Sequence, residues 1–180
     1  DCDLSLDRFL TRYRSDLAND LGNLVSRLLN MCHRYCGGTL KVIGELGEPE
    51  KKLQNLWQTA IPEIIALCNE FAFHSALEKL FLCIGAINVY IEERSPWKLA
   101  KSPSANDTQL VETTIALAAE CLRSAAILLH PTMPTVSQEI LAALGDTEKI
   151  DWIESLKFGN SLAGHVVKEK LILFPKIDEE

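Results

Sequence analysis

The sequence predicts an all-α fold, an antiparallel bundle of about five helices followed by a short irregular or β-like C-terminal segment. Three observations carry that prediction. Apolar residues recur at three- and four-residue steps over most of the 180 residues. Proline and glycine punctuate the pattern where helices would end, and the runs are long while the gaps between them are short. With 47% hydrophobic and 24% charged residues the chain has the profile of a folded protein, neither disordered nor fibrous. Its length suits one domain, residues 1–180, with a core that needs no staples.

The first helix is marked by Phe9, Tyr13, Leu17, Leu21, Leu24, Leu28, Met31 or Cys32, and Tyr35. It starts near Ser5 and stops at Gly37-Gly38, a pair that favours a left-handed C-cap. Gly22 inside the run marks a close approach or a break, since glycine costs about 1 kcal/mol against alanine there. Residues 37–48, with four glycines, read as a loop. Pro49 suits the first turn of a second helix to about Asn69, with Leu53, Leu56, Trp57, Ala60, Ile61, Ile64, Ile65 and Cys68 inward and Pro62 as a possible bend. A third helix, about His74 to Glu93, carries Leu77, Leu80, Phe81, Ile84, Ile87, Asn88 and Ile91 and ends at Ser95-Pro96-Trp97. Lys101 to Asp107 reads as a surface loop. A fourth helix runs from Thr108, capped by Asp107, to Leu129. After the break at His130-Pro131-Thr132-Met133-Pro134 a fifth extends to Leu144, ended by Gly145. The remainder holds Trp152 and the β-like run Leu171-Ile172-Leu173-Phe174.

Charge narrows the partners. Eighteen basic residues against 25 acidic ones leave −7, which excludes an indiscriminate phosphate binder. The first hundred residues carry 13 acids and 11 bases, the last eighty 12 and 7, so the acidity sits in the second half. Between Arg8 and Lys41 six bases face Asp16 and Asp20, a local +4. The longest apolar stretches, such as Phe81 to Ile87, are too short to span a bilayer, so no membrane partner is expected. No signal peptide precedes the first helix, and a chain opening on Asp1 reads as a segment of something longer.

Little catalytic chemistry is written in the chain. It has no glycine-rich phosphate loop, no H-E-x-x-H and no suggestive carboxylate pair, and its serines lack a nucleophile-elbow context. His33, His74, His130 and His165 share no motif and read as helix-end or surface residues. Cys2, Cys32, Cys36, Cys68, Cys83 and Cys121 lack zinc-like spacing. Even Cys32-His33-x-x-Cys36 finds no second ligand pair, so the cysteines read as structural thiols. No metal site, bound cofactor or self-contained active site is expected.

One helix face invites a second reading. Asn23, Arg27, Asn30 and Arg34 form a stripe roughly 110° round the helix from the Leu17, Leu21, Leu24, Leu28 row. It is either a solvated face or a row that hydrogen-bonds something flat and polar; arginine offers a planar fork of donors and asparagine both donates and accepts. Trp97 likewise either tucks under the bundle or projects as a platform on which an unpaired base stacks. Such a row beside an aromatic suits a reader of a few unpaired bases, not an electrostatic mat.

Four segments resemble one family. Arg12 to Arg27 (RYRSDLANDLGNLVSR) is similar to the opening helix of the anticodon-binding domain of methionyl-tRNA synthetases, and Asn88 to Lys101 (NVYIEERSPWKLAK) to that family's N-x-Y-I…P-W-x-L-A-K segment. Leu128 to Pro134 resembles the L-x-P-x-M-P turn of several class I synthetases, and Leu173-Phe174-Pro175-Lys176-Ile177 the family's L-F-P-[RK]-I ending. The resemblance implies a helical bundle that binds the CAU anticodon loop of tRNA(Met), in the cytoplasm. It places Asn23, Arg27 and Arg34 against anticodon bases and sets the Pro96-Trp97 pair with its indole against the first of them; the three helix residues fall on the polar stripe. It implies a parent enzyme that attaches methionine to the tRNA with ATP and Mg, through a catalytic domain of the same polypeptide. That domain's H-I-G-H-like and K-M-S-K-S-like motifs and metal knuckle are not in these residues. The rival readings are the matching domain of a valyl-, isoleucyl-, leucyl- or cysteinyl-tRNA synthetase, against which Asn23-to-Arg27 and Pro96-Trp97 argue, and a helical protein-interaction module without an RNA role.

Overall fold

A computed structural model of the chain describes residues 5–101, 104–147, 155–159 and 161–175. Its opening ribbon is helical throughout, as the apolar steps require. It is nevertheless built of three segments: α1 (Leu6–Arg12), a π-helical stretch (Tyr13–Gly22) and α2 (Asn23–Cys36). This corrects the expectation of one regular α-helix. A π turn is wider and bonds to the fifth residue back. The Asn23 N–H accordingly reaches Ala18 O. Gly22 ends the π stretch and is also a close approach, since a Cβ there would lie 3.3 Å from both Leu17 O and Phe174 Cδ2. Gly37, at φ 65°, ends the ribbon with the expected left-handed cap.

The second helix, α3 (Glu48–Asn69), carries Pro49 in its first turn and runs on through Pro62. Leu53, Trp57, Ala60, Ile61 and Ile64 are buried, whereas Leu56 and Ile65, expected inward, lie on the flank of the stripe and stay exposed. A three-residue link returns the chain into α4 (Phe73–Arg94), antiparallel to α3 and paired with it through Lys79 and Glu63. Ser95 then turns the chain into the short α5 (Pro96–Leu99). The expected loop before the next helix is shorter than predicted. Ser104 accepts from the Asp107 N–H at 3.1 Å while Asp107 Oδ2 accepts from the Ser104 N–H at 3.1 Å. That capping box starts α6 (Ala105–Leu129) at Ala105, with Asp107 inside it rather than at the cap.

Helix α6 is the centre of the bundle and touches α2, α3, α4, α5 and α7 (Pro134–Ala143). Ala116, Ala118, Ala119, Ala125, Ala126, Ser124 and Thr114 are buried on several sides of it, which lets neighbouring helices approach closely. Leu80, Ile84, Ile87 and Ile91 of α4 fill the space against it, each contributing about 1.5–3 kcal/mol by burial. Cys32, Cys36, Cys83 and Cys121 are buried members of the same core, in keeping with structural thiols.

The C-terminal tail closes one end. Thr39 and Val166 form an antiparallel bridge, and the Leu40 N–H donates to His165 O at 2.9 Å. The run 171–174 is irregular and forms no strand. Leu173 enters the core, Phe174 meets Tyr13 edge-on at 6.0 Å, and Leu171 O accepts from Ser26 Oγ at 3.0 Å. Cys2, Trp152, Lys176 and Ile177 lie outside the described residues. Among those described, no helix is long and apolar enough to cross a membrane.

Candidate functional site

Helix α2 sorts its side chains as the periodicity requires. Leu24, Val25, Leu28, Leu29 and Cys32 are buried, while Asn23, Asn30 and Arg34 are exposed and Arg27 is half-buried on the flank. The polar stripe is therefore a continuous face. One turn separates Asn23 from Arg27, and two further turns, about 10 Å along the axis, separate Arg27 from Arg34.

What the tertiary fold adds to this face is Trp97. The α4–α5 corner brings the indole beneath α2, with the Arg27 guanidinium 5.6 Å from the ring centroid. That is cation–π range, and the ring's negative face favours the charge. The sequence left two possibilities for Trp97, and the structure combines them: the residue is half-buried against the core and also belongs to the polar face. Arg27 is held from a second side, where its Nη2 donates to Glu92 Oε1 at 2.7 Å. The arginine is thus pre-oriented with donors to spare, since a guanidinium carries five. Asn88 Nδ2 donates to Asp20 O at 3.3 Å and ties α4 to the π stretch beside this face.

The remaining expected residues divide. Arg34 sits with its guanidinium 5.6 Å from the Tyr35 ring centroid, so the far end of the face repeats the arginine-over-aromatic arrangement. Pro96 is buried and opens α5, so it shapes the corner rather than presenting a surface. Asn23 stands exposed where the π stretch passes into α2.

Two groups escaped sequence reasoning. Glu92 holds Arg27, but nothing in the row Glu92-Glu93-Arg94 shows which acid turns toward α2 until α4 is packed. Glu50 is fully buried and bonded to Tyr90 and Arg94 beneath the same corner. Its one local signal, a glutamate three residues after Gly47, matches the spacing of a capping box. Among the described residues no cluster of His, Cys, Asp and Glu could hold a metal ion.

A helical bundle carrying a row of amides and guanidiniums beside a half-buried indole belongs to the class of domains whose surface suits flat, hydrogen-bonding ligands such as unpaired bases. Residues 50–170 match the family described as "Anticodon-binding domain of tRNA ligase", and the chain belongs to that family. Along nearly its whole length it is similar to methionine–tRNA ligases. It is 37% identical to that of Caldanaerobacter subterraneus over 98% of this chain and 27% of the relative. With that of Streptomyces coelicolor the identity is 33% over 100% and 35%. Among solved structures, the apo form of Mycobacterium tuberculosis methionyl-tRNA synthetase superposes with a TM-score of 0.92 at 29% identity, covering 98% of this chain and 36% of that one. A second structure of that enzyme, bound by methionyl-adenylate, gives 0.90. The chain thus spans roughly a quarter to a third of the length of the relatives it matches.

Proposed function

We propose that residues 1–180 form the anticodon-binding domain of a methionine–tRNA ligase and read the CAU anticodon of tRNA(Met). Trp97 serves as the stacking platform for the first anticodon base. Arg27, Asn23 and Arg34 hydrogen-bond base edges, and Pro96 sets the corner that presents the indole. The observation that carries this reading is the convergence of Arg27 and Trp97, 70 positions apart in sequence, at 5.6 Å. The polar face of α2 and the similarity to methionine–tRNA ligases support it. The whole protein then attaches methionine to the tRNA at the expense of ATP, with Mg, through a catalytic domain elsewhere in the same polypeptide, and works in the cytoplasm. This domain contributes recognition and no catalytic group.

The test is binding of a synthetic CAU anticodon stem-loop, followed by the fluorescence anisotropy of a dye on the RNA. Trp97→Ala is expected to weaken binding about tenfold or more, because one stacked base contributes about 1–3 kcal/mol. An affinity equal to that of the unaltered chain would remove Trp97 from the site.

A further inference from the structure

Behind the corner that carries Trp97 lies a buried ionic contact. Glu50 stands in the first turn of α3, and its carboxylate has no exposed surface. Its Oε1 accepts from Tyr90 Oη at 2.8 Å and from Arg94 Nε at 2.5 Å. Its Oε2 accepts from the Gly47 N–H at 3.0 Å and from Arg94 Nη2. Both side-chain donors belong to the last turns of α4, four residues apart, and Arg94 is the final residue of that helix. Burial pushes the Glu50 carboxyl up, but the Arg94 and Tyr90 hydrogen bonds outweigh it and hold the group below the ordinary carboxylate range. The contact is therefore ionic at neutral pH.

Two residues, Ser95 and Pro96, separate this anchor from the indole. Ser95 adopts φ 45°, a conformation that a residue with a Cβ disfavours, and its Oγ donates to Glu92 O at 2.6 Å. Pro96 fixes its own φ by its ring. With both joints stiff, the direction in which α4 ends decides where Trp97 lies. A two-pronged arginine–carboxylate contact fixes direction as well as distance. It adds little net stability over an apolar pair of similar volume.

We propose that Glu50 is a positioning residue for anticodon reading. Through Arg94 it sets the end of α4, and so the angle at which Trp97 meets the first base. The proposal rests on the reading of Trp97 given above.

The experiment uses the full chain, the CAU anticodon stem-loop as probe, and 5-fluorotryptophan, whose three fluorine signals are assigned to Trp57, Trp97 and Trp152 by single Trp→Phe variants. The variant Glu50→Leu/Arg94→Met removes both charges and leaves an apolar contact in their place. Its thermal midpoint is expected to fall by several degrees, since Tyr90 Oη and the Gly47 N–H lose their acceptor, while the Trp57 signal stays near that of the unaltered chain and the Trp97 signal shifts. Binding is expected to weaken about tenfold, equivalent to about 1.4 kcal/mol. Tyr90→Phe, which keeps the ring and removes one donor, is expected to move the Trp97 signal too and weaken binding about threefold, the scale of one hydrogen bond. Undiminished affinity in either folded variant overturns the proposal, and so does weakened binding with an unmoved Trp97 signal. If Trp97→Ala binds normally, the reading of Trp97 is what fails. If Trp97→Ala loses binding while Glu50→Leu/Arg94→Met keeps it, only the positioning role fails.

Discussion

Replacing Arg27 with alanine separates base reading from fold maintenance, because the two contributions differ in size. In the free protein Arg27 makes two contacts. The ion pair to Glu92 joins side chains that are 37% and 59% exposed, and at such exposure a pair contributes about 0.2–1 kcal/mol. The cation–π contact to Trp97 adds about 0.5–1 kcal/mol. Arg27→Ala should therefore cost the fold no more than about 2 kcal/mol, a drop of roughly 4–8 °C in thermal midpoint for a domain of this size. On the reading proposed above the same guanidinium bonds a base edge in the complex, and a hydrogen bond involving a charged group contributes about 1.5–3 kcal/mol. Binding of the CAU stem-loop should then weaken by about 10- to 100-fold. Arg27→Lys should recover little of it, because lysine keeps the charge and loses the planar fork. The assay is a stem-loop titration at several salt concentrations, repeated with each anticodon base changed. A base contact predicts a loss confined to the CAU sequence with an unaltered salt slope. If the variant weakens all sequences equally and lowers the salt slope by about one, Arg27 contacts a phosphate and the reasoning is wrong.

Two further predictions concern the scaffold. Gly145 has φ 78°, and a Cβ there would lie 2.6 Å from Val166 O, so Gly145→Ala should destabilise by at least about 2 kcal/mol in urea unfolding; a smaller cost would show that the tail yields at this point. Burial raises the Glu120 carboxyl above its ordinary value of 4.5, although the Leu162 N–H and Arg123 oppose the shift. A raised folded value means that the group's contribution to stability is complete below 4.5 and is lost as pH rises through the folded value. Glu120→Gln, which can still accept from Leu162 N, should accordingly stabilise the fold more at pH ~7 than at pH ~4, and the reverse order would refute the burial argument. Glu50, held low, runs the opposite way: its contribution is present above 4.5 and is lost as pH falls through its folded value.

Most helices were legible because their signals are local. Gly37 and Gly145 mark the ends of α2 and α7, Pro49 and Pro134 mark starts, and the inward rows of α4 and α6 follow the helical period. The π stretch was not legible, because the four-residue spacing from Phe9 to Leu21 recurs at Leu53, Trp57, Ile61 and Ile65 in the regular helix α3. Ser104 and Asp107 show a finer limit. Both are good caps in isolation, and only the reciprocal bonds between them decide which residue stands outside the helix.

The candidate face divides along the same line. The row Asn23, Arg27, Asn30, Arg34 follows from sequence alone, because residues three and four apart on one helix must share a face. Family resemblance attached Trp97 to that row, yet no spacing along the chain brings position 97 to position 27. That meeting depends on the packing of α2 and α4 against α6, of α4 against the π stretch, and on the turn at Ser95. The choice of Glu92 over Glu93 as the partner of Arg27, and the burial of Glu50 beneath the corner, are likewise settled by packing. Local hydrogen bonding and helical periodicity are properties of a segment, so the sequence determines them by itself. An ion pair between two helices depends on the rotation of each about its axis, and that rotation is decided only when the whole core closes.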